Sequence, residues 1–289
     1  MHIEQIEQAA VEELREDRSR GAAQLARRAL EVLAEASRAE QPEPPEQWLG
    51  ALRHMAQALV EARPTLWPIR NLVGDWVRSL PEDSLEDPEA VRHQAARKAR
   101  QLCEHSIRAG ERIARHAGDL ISADSTIFTH SVSSVVLSVF QILRPKNVKA
   151  IVTEGRPLYD GLHTARRLSE WGIPVTYITD AQMGLFVQEA DFVVVGADAV
   201  TAGGDVINKA GTYLAALVAN QADVPFYVVC ESFKKVGVNI DRVELEEMAA
   251  EELDPPRLPG LKARNIYFDR TPVHLVTGWI HEDGIVRMK

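Results

Sequence analysis

The chain has 289 residues, 45% hydrophobic and 26% charged, with a net charge of −9, enough to bury a sizeable core. It has no long basic stretch, no apolar run of membrane-spanning length and no signal-peptide core in MHIEQIEQAAVEEL, so a cytoplasmic protein with no nucleic-acid and no membrane partner is expected. Its two cysteines, Cys103 and Cys230, are far apart and outside any CxxC or Cys/His cluster, which argues against a zinc site or a disulfide framework; no metal and no cofactor is expected.

The first 120 residues read as successive helices. Residues 17–40 place Ala22, Leu25, Ala29, Leu33 and Ala36 on one helical face. The proline-rich break EQPEPPE follows, then a helix over 46–62. A third helix over 63–80 tolerates Pro68 only in its first turn, with Thr65 as its expected N-cap. A long fourth helix starts near Pro88. From residue 121 the pattern changes. STIFTH, VKAIVTEG, PVTYITD, ADFVVVGAD and PFYVVCE are short apolar, β-rich runs. Helical patterns SVVLSVFQIL, YDGLHTARRLSEW and AGTYLAALVANQ lie between them. The fold class expected is α/β: a helical domain over 1–120, then a Rossmann-like domain with a mainly parallel sheet over 121–289.

Ligands of such sheets bind beyond the carboxyl ends of the strands. Those ends carry Thr129-His130-Ser131, Glu154-Gly155-Arg156, Asp180 and Asp198. Asp198, at the rim of an apolar strand, suits a general base. The Gly203-Gly204 pair is expected to let a loop close on a ligand. Asn208 is expected to cap the next helix, whose free N–H groups beside Lys209 favour an anion. Ser19-Arg20-Gly21-Ala22 and Arg63-Pro64-Thr65 each put an arginine just before a helix, a phosphate-binding arrangement. His130 reads either as a base or as a hydrogen-bonded structural residue, and Cys230 as inert core.

RGAAQLARRA, RPTLWPIRN, TIFTHSVSS, TEGRPLYDG, GADAVTAGGDVINKAGTYLAAL, VPFYVVCESFKK and YFDRTPVHLVTGWIHEDG occur in that order. Together they resemble the initiation factor 2B family, which holds exchange-factor alpha, beta and delta subunits, methylthioribose-1-phosphate isomerase and ribose-1,5-bisphosphate isomerase. The resemblance implies a sugar-phosphate pocket between the two domains, and a homodimer or higher homo-oligomer through the C-terminal domain. It implies phosphate contacts from Arg20, Gly21, Ala22 and Arg63, and further ligand contacts from Ser133, Arg156, Asn208 and Lys209. In the isomerases a cysteine and an aspartate form the catalytic pair. The aspartate corresponds to Asp198, but the cysteine position after Thr-His is Ser131. A thiol exchanges a proton near neutrality and a serine hydroxyl does not without an adjacent base. Loss of such a group costs about 100- to 10,000-fold in rate. Gly155 departs from the family's serine or threonine. Two functions therefore stand open. One is a sugar-phosphate-binding, initiation-factor-like regulatory protein. The other is an aldose–ketose isomerase with Asp198 as base and Ser131 in place of cysteine.

Overall fold

The computed structural model describes residues 3–17, 20–39, 45–81, 87–237, 243, 245 and 247–288. Ser19 and residues 40–44 of the proline-rich break lie outside the described residues. The chain divides into two units, Met1–Arg108 and Ala109–Lys289.

The first unit is helical: α1 (Ile3–Glu16), α2 (Ala22–Ala36), α3 (Pro45–Ala62), α4 (Trp67–Arg78) and the first turns of α5 (Pro88–Leu120). The sequence reading assigns no helix to α1, because charge dominates its composition. Its Ile3, Ile6, Ala10 and Leu14 nevertheless recur at helical spacing and are buried. Pro68 falls in the first turn of α4, as its missing N–H requires. The helix opens after Leu66, however, not after Thr65. With Thr65 as N-cap, one of the two N–H groups that a cap can accept from, that of the third helical position, is missing at Pro68. The Thr65 hydroxyl is buried, with no partner among the described residues.

The second unit is α/β. Its main sheet uses β1 (Thr126–Thr129), β2 (Lys149–Thr153), β3 (Val175–Ile178), β4 (Phe192–Val195), β7 (Phe226–Val229), β12 (Gly278–His281) and β13 (Gly284–Arg287). They lie in the order β13-β12-β7-β4-β1-β2-β3. Every pairing is parallel except the β12–β13 hairpin. Strand residues alternate between two cores. Ala150, Val152 and Val194 pack with Val136, Val139 and Phe140 of α6 (Ser134–Leu143) and Leu168 of α7 (Asp160–Glu170). Ile151, Val193 and Val195 pack with Met183 of α8 (Met183–Phe186) and with Ala215, Ala216 and Ala219 of α9 (Thr212–Gln221). Burial on both faces explains the unbroken apolar runs. The edge strand β3 is the exception, since Thr176 and Tyr177 are exposed.

From β1 the chain steps to β2 and β3 on one side, then returns to β4 on the other. The topological switch thus lies at the carboxyl ends of β1 and β4, where such sheets bind ligands. The two ends touch: a Cβ on Gly196 would come within 2.7 Å of the Ser133 hydroxyl.

Beyond β4 the structure departs from the sequence reading. Gly196-Ala197-Asp198 leads into β5 (Ala199–Thr201), which pairs antiparallel with β6 (Val206–Lys209). Together with β8 (Lys235–Val236) and β11 (Phe268–Thr271) they make a second sheet, β11-β6-β5-β8, while β9 (Glu247–Met248) and β10 (Asn265–Ile266) pair antiparallel with each other. Gly203-Gly204 is the turn of this hairpin, with Gly204 at φ +88°, and not a loop that closes on a ligand. Asn208 and Lys209 end a strand and do not open a helix. The α9 helix begins at Thr212, capped by Gly211 at φ +114°.

Candidate functional site

Ser131 directly follows β1 and is held at φ +67°, a left-handed conformation that non-glycine residues rarely adopt. Its carbonyl accepts a hydrogen bond from the Thr164 hydroxyl of α7 at 2.9 Å. Its own hydroxyl donates to Asp160 Oδ2 at 3.3 Å. The same oxygen lies 2.8 Å from Lys209 Nζ, and both side chains are largely enclosed, 7% exposed for Lys209 and 15% for Asp160. The Lys209 ammonium also sits over the Tyr267 ring, 4.4 Å from its centre. The structure thus joins Ser131 and Lys209, two residues marked in the sequence, through Asp160, which was not. Asp160 opens α7 one residue before Gly161. A Cβ at Gly161 would lie 1.7 Å from the Thr153 carbonyl oxygen. That glycine lets the helix start against the end of β2.

His130 is structural. The Ala210 carbonyl, 2.9 Å from Nε2, can only accept, so Nε2 carries the proton. Nδ1 then accepts from the Thr153 hydroxyl at 2.6 Å. Burial pushes the pKa of His130 down, outweighing the bond to Ala210 and the neighbouring Asp180, so the ring is held neutral. Asp180 is a loop clamp, accepting from the backbone N–H of Gly155 at 2.9 Å and of Arg156 at 2.8 Å. Gly155 stands at φ +70°, a backbone reason for glycine where the family has a hydroxyl residue.

Asp198 is half-buried between β4 and β5, and its N–H donates to the Ile207 carbonyl at 2.8 Å. Next to it is Lys234, absent from the sequence reading. Its buried ammonium donates to the Ala197 carbonyl at 2.6 Å and lies 3.2 Å from Glu231 Oε2. Burial opposes its charge, but the carboxylates of Glu231 and Asp198 outweigh burial and hold Lys234 above the usual lysine range. Both Lys234 and Asp160 follow a strand end, in ESFKK and RPLYDG. That placement is the signal that marks them in the sequence.

The other marked residues are placed as follows. Ser133 caps α6, accepting from the Val136 N–H at 3.4 Å. Asn208 donates to the Thr212 hydroxyl at 2.9 Å. The start of α9 is not an open anion site: the Asp269 carboxylate already accepts from the N–H groups of Gly211 at 2.7 Å and Tyr213 at 2.9 Å. Burial pushes Asp269 up to about 6 despite those two bonds. Arg156 stacks on the Tyr159 ring at 4.9 Å and donates to the Tyr159 hydroxyl and the Leu253 carbonyl.

In the helical unit, Gly21 caps α2, Ala22 is its first residue, and Arg20 precedes both. The Arg20 guanidinium pairs with Asp17 at 2.6 Å and Glu13 at 2.5 Å. Arg63 donates to the Asp17 carbonyl at 3.2 Å, so the two arginines meet at Asp17. Burial pushes Cys230 up to about 12, and burial with Glu31 pushes Cys103 up to about 11.

Comparison with known proteins agrees with this architecture. A putative translation initiation factor eIF-2B subunit 2-like protein of Pyrococcus abyssi is 39% identical over 277 residues, 95% of this chain and 94% of the relative. A ribose 1,5-bisphosphate isomerase of Archaeoglobus fulgidus is 36% identical over 291 residues, 98% of this chain and 90% of the relative. The crystal structure of the Pyrococcus horikoshii OT3 translation initiation factor eIF-2B superposes with a TM-score of 0.84 at 33% identity, covering 97% of this chain and 96% of the other. Residues 18–288 match the initiation factor 2 subunit family, and with these relatives the chain belongs to that family.

Proposed function

We propose that the protein binds a sugar phosphate and acts as a ligand-binding, initiation-factor-like regulator without the thiol chemistry of the family's isomerases. The observation that carries this reading is the chain Ser131–Asp160–Lys209. The residue after Thr129-His130 is a serine whose proton points at a carboxylate, and the protein's two thiols are both pushed far above neutrality. In the α/β unit the ligand contacts we propose are Asp198, Asn208, Lys209, Ser131, Ser133 and Arg156. In the helical unit the phosphate contacts we propose are Arg20, Gly21, Ala22 and Arg63, and a phosphate there competes with Glu13 and Asp17 for Arg20. We further propose a cytoplasmic homo-oligomer assembled through the C-terminal unit. Sedimentation velocity tests the assembly, since a monomer runs at 32.1 kDa.

The second reading, an aldose–ketose isomerase, is favoured by the presence of Asp198 beside the buried Lys234. One experiment separates the two. The protein is incubated with ribose 1,5-bisphosphate and, separately, 5-methylthioribose 1-phosphate, with ketose followed by NMR and binding by calorimetry. Micromolar binding without turnover, weakened about 10-fold or more in Arg20→Ala, is the expected result. Turnover abolished by Asp198→Asn establishes the isomerase instead. Isomerase activity that appears in Ser131→Cys shows that the thiol alone is missing.

A further inference from the structure

Resting on the sugar-phosphate reading, we infer that Asp160 is a positioning and specificity-determining residue: it orients the Lys209 ammonium and the Ser131 hydroxyl, accepts a ligand hydroxyl and keeps phosphate out of this subsite. Three observations carry this. First, both donors converge on one oxygen, with Lys209 Nζ at 2.8 Å and Ser131 Oγ at 3.3 Å from Oδ2. Among the described residues no side chain or backbone group donates to Oδ1.

Second, the direction of the Ser131 hydrogen bond leaves acceptors for a ligand. The serine proton is committed to Asp160, so the hydroxyl oxygen presents lone pairs, as does Oδ1. The subsite is therefore rich in acceptors and suits neutral donor groups such as sugar hydroxyls. A phosphate oxyanion brought to Lys209 meets a carboxylate that already holds the ammonium, in an enclosed setting where like charges repel strongly. Lys209 is thus present as a cation without being open to an anion.

Third, the backbone that carries the carboxylate is fixed in place. Asp160 N–H donates to the Gly155 carbonyl at 3.2 Å, and α7 abuts the end of β2 through Gly161. The Asp160 backbone is held at the mouth of the sheet by these two constraints, and its carboxylate is held by Lys209 and Ser131. The consequence for recognition is an orientation rule: the hydroxyl-bearing part of the ligand faces Ser131, Asp160 and Lys209, and its phosphate lies elsewhere.

Calorimetric titration of the full chain with ribose 1,5-bisphosphate and, separately, with inorganic phosphate tests this in the wild type, Asp160→Asn and Asp160→Glu. In Asp160→Asn the affinity for ribose 1,5-bisphosphate is expected to fall about 10-fold while that for inorganic phosphate rises about 10-fold, because phosphate then serves as the counter-ion of Lys209. Asp160→Glu is expected to restore the exclusion of phosphate, and it keeps the test available if the asparagine variant fails to fold. Affinities that move in the same direction, or not at all, overturn the assignment. If the wild type binds no ribose 1,5-bisphosphate, the proposed function fails, and the phosphate titrations still decide the role of Asp160: tighter phosphate binding in Asp160→Asn supports exclusion and unchanged binding overturns it.

Discussion

At the scale of single residues, Ser131 trades stability for position. A non-glycine residue at φ +67° costs about 1–2 kcal/mol. Ser131→Gly is expected to raise the melting temperature by about 2–4 °C and to weaken ribose 1,5-bisphosphate about 10-fold through the lost hydroxyl. Calorimetry reads both, and a lower melting temperature removes the strain argument. Asp269 makes a prediction in pH. Its folded-state pKa of about 6 lies above the ordinary 3.8, so the folded state holds the proton more tightly. Its contribution is fully present below the unfolded value and is lost as pH rises through 6. The gap corresponds to about 3 kcal/mol. In urea unfolding from pH 4 to 7, the stability of wild type relative to Asp269→Asn is expected to decline by about 2 kcal/mol, most of that gap. A difference that does not change with pH contradicts it.

At the scale of elements, the glycine at the start of α7 fixes the site's geometry. Gly161→Ala places a methyl group 1.7 Å from a backbone oxygen that cannot yield. A loss of about 3–5 kcal/mol is expected, seen as a large fall in the urea midpoint. A fall under about 1 kcal/mol would show that α7 can shift. Element by element, the sequence is readable where local pattern and burial agree. The strands β1, β2, β4 and β7 are apolar on both faces and bounded by turn residues, so period and composition identify them. The helix α1 is hidden because four buried positions sit among eight polar ones. The β5–β6 hairpin is hidden for a different reason. Its strands are three and four residues long, and Asn208 has a strong intrinsic preference for helix caps. What holds it in a strand is the ladder to β11, residues 268–271, which no local window contains. Asp160 is equally nonlocal: nothing near it in sequence announces Ser131 or Lys209.

At the scale of the whole molecule, the Ala109–Lys289 unit carries both of its cores within itself. Every residue of the two clusters, from Ile113 to Ile280, belongs to it. A fragment of residues 109–289 is expected to unfold in one cooperative thermal transition, with near-ultraviolet dichroism lost in step with far-ultraviolet dichroism; a molten fragment contradicts this. The order of the parallel sheet is also an order in time. Ser131, Asp160 and Lys209 precede by more than fifty residues the Tyr267 ring beneath Lys209 and the Asp269 cap on α9. A chain that stops short of residue 267 holds five of the seven main-sheet strands, lacking β12 and β13, and an unfinished site. If the proposed ligand binds at Lys209, full binding is expected only of a chain translated past residue 269.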